Sequence, residues 1–207
     1  MLSMNLYSYV LRHDDGFAPN PFHGNLTLAT CKPVIRKKAK VGDYIIGTGS
    51  KTRNDKNNLM YIMKVDEVLT IEEYANDSRF VNKIPDMNAS FTLQSGDNIY
   101  QFEGDVVHQR DSLHRKIDGT VSEKDKKRDL SGKSVLISRN FVYLGENSVP
   151  IPDKFKTTDN KSICQLGTGH KKLNKDNLPL IGEFIEWAYA LDPNKHQILG
   201  SPAGWEK

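Results

Sequence analysis

The sequence predicts an α+β protein, a bent mixed β-sheet or small β-barrel with a helix near the C-terminus packed on it. Three observations point there. Strand-like runs rich in Val, Ile, Tyr and Phe recur between turns that carry Gly, Pro and Asn. One long stretch near the C-terminus carries apolar residues at helical spacing. Long helices between strands are therefore too few for a doubly wound sheet, in which each parallel pair needs a crossover. With 207 residues and a soft prior of about 100–200 residues per domain, residues 1–207 read as a single domain.

The elements follow in order. NLYSYVLR (5–12) alternates enough for a first strand. His13 to Asn25 holds two Gly and two Pro, so it is a loop, and it bears Phe17, Phe22 and His23. Aromatic side chains on such a loop anchor it in the core or line a pocket. The Gly42-Asp43 turn separates a basic segment from a buried strand, Tyr44 to Thr48, which runs into the loop GTGSK. LMYIMKVDEVL (59–69) is a strong strand, and Thr70 with Glu73 makes a capping box that opens the short helix TIEEYANDSRF. NIYQF (98–102) and SVLISRNFVYL (134–144) supply further strands, and IPDKF (151–155) one helical turn.

Arg115 to Lys133 mixes seven Lys or Arg with Asp118, Glu123, Asp125 and Asp129 and lacks apolar periodicity, so a mobile insertion is expected there. The last element is a helix over 177–191. Asp176 or Asn177 caps it, Pro179 sits in its first turn, and Leu180, Ile181, Phe184, Ile185, Ala188 and Leu191 form one apolar face.

Composition excludes several classes. With 37% hydrophobic and 27% charged residues the chain is neither collagen-like nor generally disordered. No apolar run approaches the roughly 20 residues that cross a bilayer, and the N-terminus shows no leader pattern, so a cytoplasmic location is expected. Cys31 and Cys164 exclude a disulfide framework and a four-Cys zinc site, and both are expected as free thiols. A net charge of +3 is mild, so the distribution carries the information. Lys32, Arg36, Lys37, Lys38 and Lys40 form a run without an acid, which would contact phosphates or simply be a solvated face.

Two glycine-bracketed loops are candidate ligand contacts. Gly47 to Lys51 follows a strand and would offer backbone N–H groups and a cation to phosphate, although the Walker spacing is absent. Gly167-Thr168-Gly169-His170 is the second, with His170 as a hydrogen-bonding or acid–base group. His108, Asp111 and His114 carry metal-ligand chemistry, but no regular element presents all three together. Ser112 between Asp111 and His114 lacks a nucleophile elbow, and Cys31 beside Lys32 is a candidate nucleophile.

The stretch YSYVLRHDDGFAPNPFHGNLTLATCKPVIRKKAKVGDYIIGTGSK resembles the second type of nucleotide modification associated domain. The resemblance recurs more loosely through Leu136 to Gly145 and at Gly169-His170. It implies action with DNA base modification in bacteria or phages. More distantly, GDYIIGTGSK, LMYIMKVDEVL and TIEEYANDSRF in succession are similar to PUA-like domains of the EVE and ASCH kind, which implies a small curved barrel holding a modified or flipped base. A base cage here would use Phe17, Phe22, Tyr44 or Tyr61, since Trp187 and Trp205 fall in the last helix and at the C-terminus.

The expected function is a nucleotide- or modified-base-binding protein of a DNA modification or defence pathway. The alternative is an enzyme acting on a free or flipped nucleotide, with His170, Asp14, His13 or Asp111 as the acid–base group. The expected ligand-binding residues are Phe17, Asn20, Phe22, Thr30, Lys32, Arg36, Gly47, Thr48, Gly49, Ser50, Lys51, Gly169 and His170. No cofactor, metal or membrane contact is expected, and the sequence leaves open a homodimer and the choice between free nucleotide and nucleic acid.

Overall fold

The computed structural model describes residues 4–116 and 118–205. Its elements are β1 (Leu6–Val10), β2 (Leu26–Leu28), α1 (Pro33–Lys38), β3 (Tyr44–Thr48), β4 (Asn58–Lys64), β5 (Glu67–Thr70), α2 (Ile71–Asn76) and α3 (Phe91–Gln94). There follow β6 (Tyr100–Glu103), β7 (Val106–Gln109), α4 (Glu123–Leu130), β8 (Ser134–Ser138), β9 (Phe141–Tyr143), β10 (Val149–Pro150), β11 (His170–Leu173) and α5 (Leu178–Tyr189). None of the described helices is long and apolar enough to cross a membrane.

The chain divides into two compact units. The first comprises Met1–Asp14, Ala39–Asp66 and Asn140–Lys207, the second Asp15–Lys38 and Glu67–Arg139. In the first, a mixed sheet runs β10-β4-β3-β1-β11, with β9 also on β4. Only β1 and β3 pair in parallel; their neighbours are antiparallel. The sheet is open, so the small-barrel expectation is corrected to an α+β fold with no closed barrel.

Helix α5 covers this sheet for the reason its spacing gives. Ile181, Phe184 and Ala188 recur on one face and are fully buried with Ile46, Ile62, Val142 and Phe155. Each fully buried large apolar side chain stabilises by about 1.5–3 kcal/mol. Pro179 sits in the first turn as expected, but the Asn177 side chain makes no capping bond.

The second unit holds an antiparallel sheet β2-β8-β5 and a β6-β7 ribbon. Its own core joins Phe17, Ile71, Tyr74, Phe80, Ile99, Tyr100, Val135 and Ile137. The capping box forms as the sequence predicts: Glu73 N–H donates to Thr70 Oγ1 and Thr70 N–H to Glu73 Oε2.

Several expected elements are corrected. The run 59–69 splits into β4 and β5, and 134–144 splits into β8 and β9, each at a boundary between the units. The sequence carries the breaks at Asp66 and Asn140, whose side chains engage each other: Asp66 accepts from the Asn140 backbone and its Nδ2. Residues 151–155 form a turn without helix. Part of the expected mobile insertion folds as α4, with Ser122 capping it by accepting from Asp125 N–H; residue 117 of that stretch lies outside the described residues. Helix α4 is so polar that it presents no apolar stripe, which is why periodicity misses it.

Candidate functional site

In the first unit, strand register brings two of the singled-out loops to one end of the sheet. Tyr9 on β1 lies opposite Gly47 on β3 and His170 on β11. Beyond that point come Arg12 to Asp14 from β1, Gly49 to Lys51 from β3, and Gly167 to Gly169 leading into β11. Thr48 Oγ1 lies 3.3 Å from both the Tyr9 and Gln165 carbonyls, and Arg12 Nη2 donates to Thr168 Oγ1 at 3.0 Å. Arg12, His13, Lys51, Gly169 and His170 are exposed, while Gly47, Thr48, Gly49 and Ser50 are buried.

Two amides of the loop after β3 are taken up within the fold. Gly49 N–H donates to Asn58 O at 2.9 Å and Ser50 N–H to Asp55 Oδ1 at 2.6 Å. Its glycines answer close packing instead. A Cβ at Gly47 would stand 2.3 Å from the Tyr61 ring, and one at Gly49 2.1 Å from the Asp55 carbonyl oxygen. Arg53 then ties the loop down by pairing with Asp55 at 2.9 Å and donating to the carbonyls of Leu11 and Arg12. The Lys51 side chain stays exposed. By contrast, the surroundings of Gly167 and Gly169 are open.

A cavity of about 250 Å³ is built from the same connections. Asn57, in the β3–β4 connection, lines it with Ile151, Phe155, Lys156, Asn160, Ser162 and Leu166, the last immediately before Gly167. Asn57 adopts a left-handed backbone (φ 67°), a conformation Asn tolerates better than most residues. Its carbonyl oxygen accepts from Ile151 N–H at 3.1 Å. Its side-chain Oδ1 is buried and, among the described residues, has no hydrogen-bond partner. Such an acceptor costs about 1–3 kcal/mol until something donates to it. No motif in the sequence marks Asn57, because the unmet valence exists only once the loop has folded.

Asp14, an acid–base candidate, is almost fully buried and accepts from Tyr143 OH and from Ala203 N–H. Beside it, Tyr61 donates its hydroxyl to Tyr9 OH at 2.8 Å, and burial pushes the Tyr61 phenol far above its ordinary range. The Asp14 carboxylate is thus a fold contact.

In the second unit, Asn20 is likewise committed to the fold. Its Nδ2 donates to Gly16 O and Ser95 O at 2.9 and 2.8 Å, and its Oδ1 accepts from Lys83 Nζ at 2.6 Å. Lys83 also donates to the backbone of Asn20 and Asn25. Burial lowers the Lys83 ammonium to about 8, partly opposed by Asp97. Asp97 is itself raised by burial while it accepts from Thr27 and Tyr74 hydroxyls. Phe22 is half-buried, and Thr30 is buried with no hydroxyl partner among the described residues.

Arg36 departs from the phosphate-contact expectation. It lies on the inward side of α1 and is fully buried, donating to the carbonyls of Cys31, Ser134 and Asp129. Lys37 and Lys38 stay exposed, and Lys32 is half-buried.

His108 and Asp111 are exposed, with His108 3.6 Å from Glu103 and Asp111 3.3 Å from Arg115. His114 turns inward instead, its Nε2 3.0 Å from Asp129 Oδ2. One donor atom each from Cys31, His114 and Asp129 lie within 4.8 Å of one another. Ser112 only supports this turn, its Oγ accepting from His114 N–H. Sequence reasoning missed Asp129 because it sits on α4, in the stretch read as loop. Burial, and then Asp129, push the Cys31 thiol up.

These features define an α+β protein of two cored units with a small, partly polar cavity at a sheet end. The chain matches the nucleotide modification associated domain 2 family over residues 3–207 and belongs to that family. Membership associates it with nucleotide modification. No curated protein and no solved structure matches it.

Proposed function

We propose that the protein binds a nucleotide or a modified base, and that the base is held at the sheet end formed by β1, β3 and β11. The observation that carries this reading is the unpartnered, buried Asn57 Oδ1 in a cavity that the exposed Lys156 also lines. The cavity is smaller than the roughly 300–1,000 Å³ of a typical small-molecule site. It therefore suits a base with its sugar-phosphate outside; Arg12, Lys51 and His170 are exposed at the same end of the sheet. Asn57 supplies an acceptor for an amino or imino N–H of the base, and Phe155, Ile151 and Leu166 supply apolar contact. Membership of the nucleotide modification associated domain 2 family agrees with this reading.

The test is a binding panel on the intact protein, with unmodified and base-substituted nucleoside monophosphates and short oligonucleotides, read by calorimetry. Saturable one-to-one binding of at least one base class supports the proposal. Uniform failure across the panel sinks it.

A further inference from the structure

We propose that Cys31, His114 and Asp129 form a binding site for a divalent transition-metal ion of the zinc class. The inference does not rest on the nucleotide reading. Three separate segments supply the donors: the turn after β2, the turn after β7 and the last part of α4. One sulfur, nitrogen or oxygen atom from each lies within 4.8 Å of the other two.

The approach of imidazole and carboxylate is not a satisfied hydrogen bond. His114 Nε2 is buried and 3.0 Å from Asp129 Oδ2, yet it lacks the alignment for a bond and has no other partner among the described residues. A cation between the donors would give that nitrogen a partner.

The surroundings fix the donors in place. Phe17 stacks on the His114 ring with centroids 5.3 Å apart and planes 18° from parallel. Cys31 N–H donates to Asp129 Oδ1 at 2.8 Å, and Tyr100 OH to Oδ2 at 3.3 Å. Such outer contacts orient ligands and tune their basicity. Cys31 itself holds a left-handed backbone (φ 54°), followed by Lys32 (φ 40°), an arrangement uncommon outside Gly and Asn.

Donor chemistry selects the ion. A thiolate with an imidazole and a carboxylate suits zinc, cobalt or iron and is foreign to magnesium and calcium, which take oxygen. Tetrahedral bonds of about 2.0–2.3 Å place donors roughly 3.3–3.8 Å apart, so small side-chain rotations close the triad around the ion. As the sulfur–metal bond forms, the S–H bond breaks and its proton passes to solvent. The thiolate and Asp129 carboxylate then balance the dication, and Arg36 keeps its three carbonyl partners.

The test is a cobalt(II) titration of the full chain after chelator treatment. One equivalent should bind, with a thiolate-to-cobalt charge-transfer band that zinc then displaces. Cys31→Ser should abolish the band, and His114→Gln should weaken binding by roughly 100-fold or more, beyond the loss seen for outer contacts. Absence of the band in the wild type, or its persistence in Cys31→Ser, overturns the proposal. A measurement on the wild type alone covers poor folding of either variant. One equivalent of zinc should slow alkylation of Cys31, followed by peptide mapping, and an unchanged rate rejects the site.

Discussion

Tyr143 donates its hydroxyl to Asp14 Oδ1 in the interior of the first unit, and the other carboxylate oxygen accepts the Ala203 N–H at 3.0 Å. The pairing joins the end of the β1 segment to β9 and to the C-terminal stretch. It marks Asp14 as a residue of the fold.

Asp14→Ala should therefore destabilise the protein, because it leaves a buried hydroxyl and a backbone N–H without their acceptor. The expected loss is about 1–3 kcal/mol per orphaned group, read by urea unfolding. Wild-type stability in the variant would show that the carboxylate is not needed there.

Lys83 gives a prediction with a defined pH sign. Burial holds its ammonium at about 8, below the usual lysine range. Between about pH 8 and 10.5 the unfolded chain holds a proton that the folded chain has released, so this site's contribution to stability rises with pH through that window. Below it the buried charge costs up to roughly 3 kcal/mol. The stability difference between wild type and Lys83→Met should shift in favour of the wild type by that order from about pH 7.5 to 10.5. A flat difference across the window would contradict the lowered value.

Charge at the sheet end makes a third expectation. If Arg12 and Lys51 meet phosphate, oligonucleotide affinity should fall with salt, and the double change Arg12→Gln, Lys51→Gln should reduce the logarithmic slope by up to about 2. The check is binding at several salt concentrations. An unchanged slope returns both residues to the solvated surface.

His170 separates binding from catalysis. In a binding protein His170→Ala should weaken affinity and nothing else; in an enzyme that uses it as acid or base, the rate should drop by about 100-fold or more. Product analysis of wild type and variant with the tightest-binding nucleotide decides between them.

Much of the fold was legible because it follows from local periodicity and capping. Strand β3, the Thr70–Glu73 box and the apolar face of α5 are fixed by neighbours a few residues away. What was not legible depends on partners far along the chain. Arg36 reads as one cation in a basic run, yet its orientation is set by the Ser134 and Asp129 carbonyls. Asn20 reads as a loop residue, yet Lys83 claims its side chain. The sequence sets His114 beside His108 and Asp111, whereas the donor atoms that lie within 4.8 Å of its ring come from Cys31 and Asp129, far along the chain. The glycines of GTGSK were conspicuous, but the close approach of Tyr61 and Asp55 that requires them cannot be read from spacing.

The most direct measurement is a calorimetric comparison of wild type and Asn57→Gly with the nucleoside monophosphate that the wild type binds best. Glycine keeps the left-handed backbone at this position and removes the side chain that carries the buried acceptor. The expected result is an affinity loss of about 1–3 kcal/mol, with a melting temperature at or above that of the wild type. Equal affinity in the two proteins would contradict recognition of the base by Asn57.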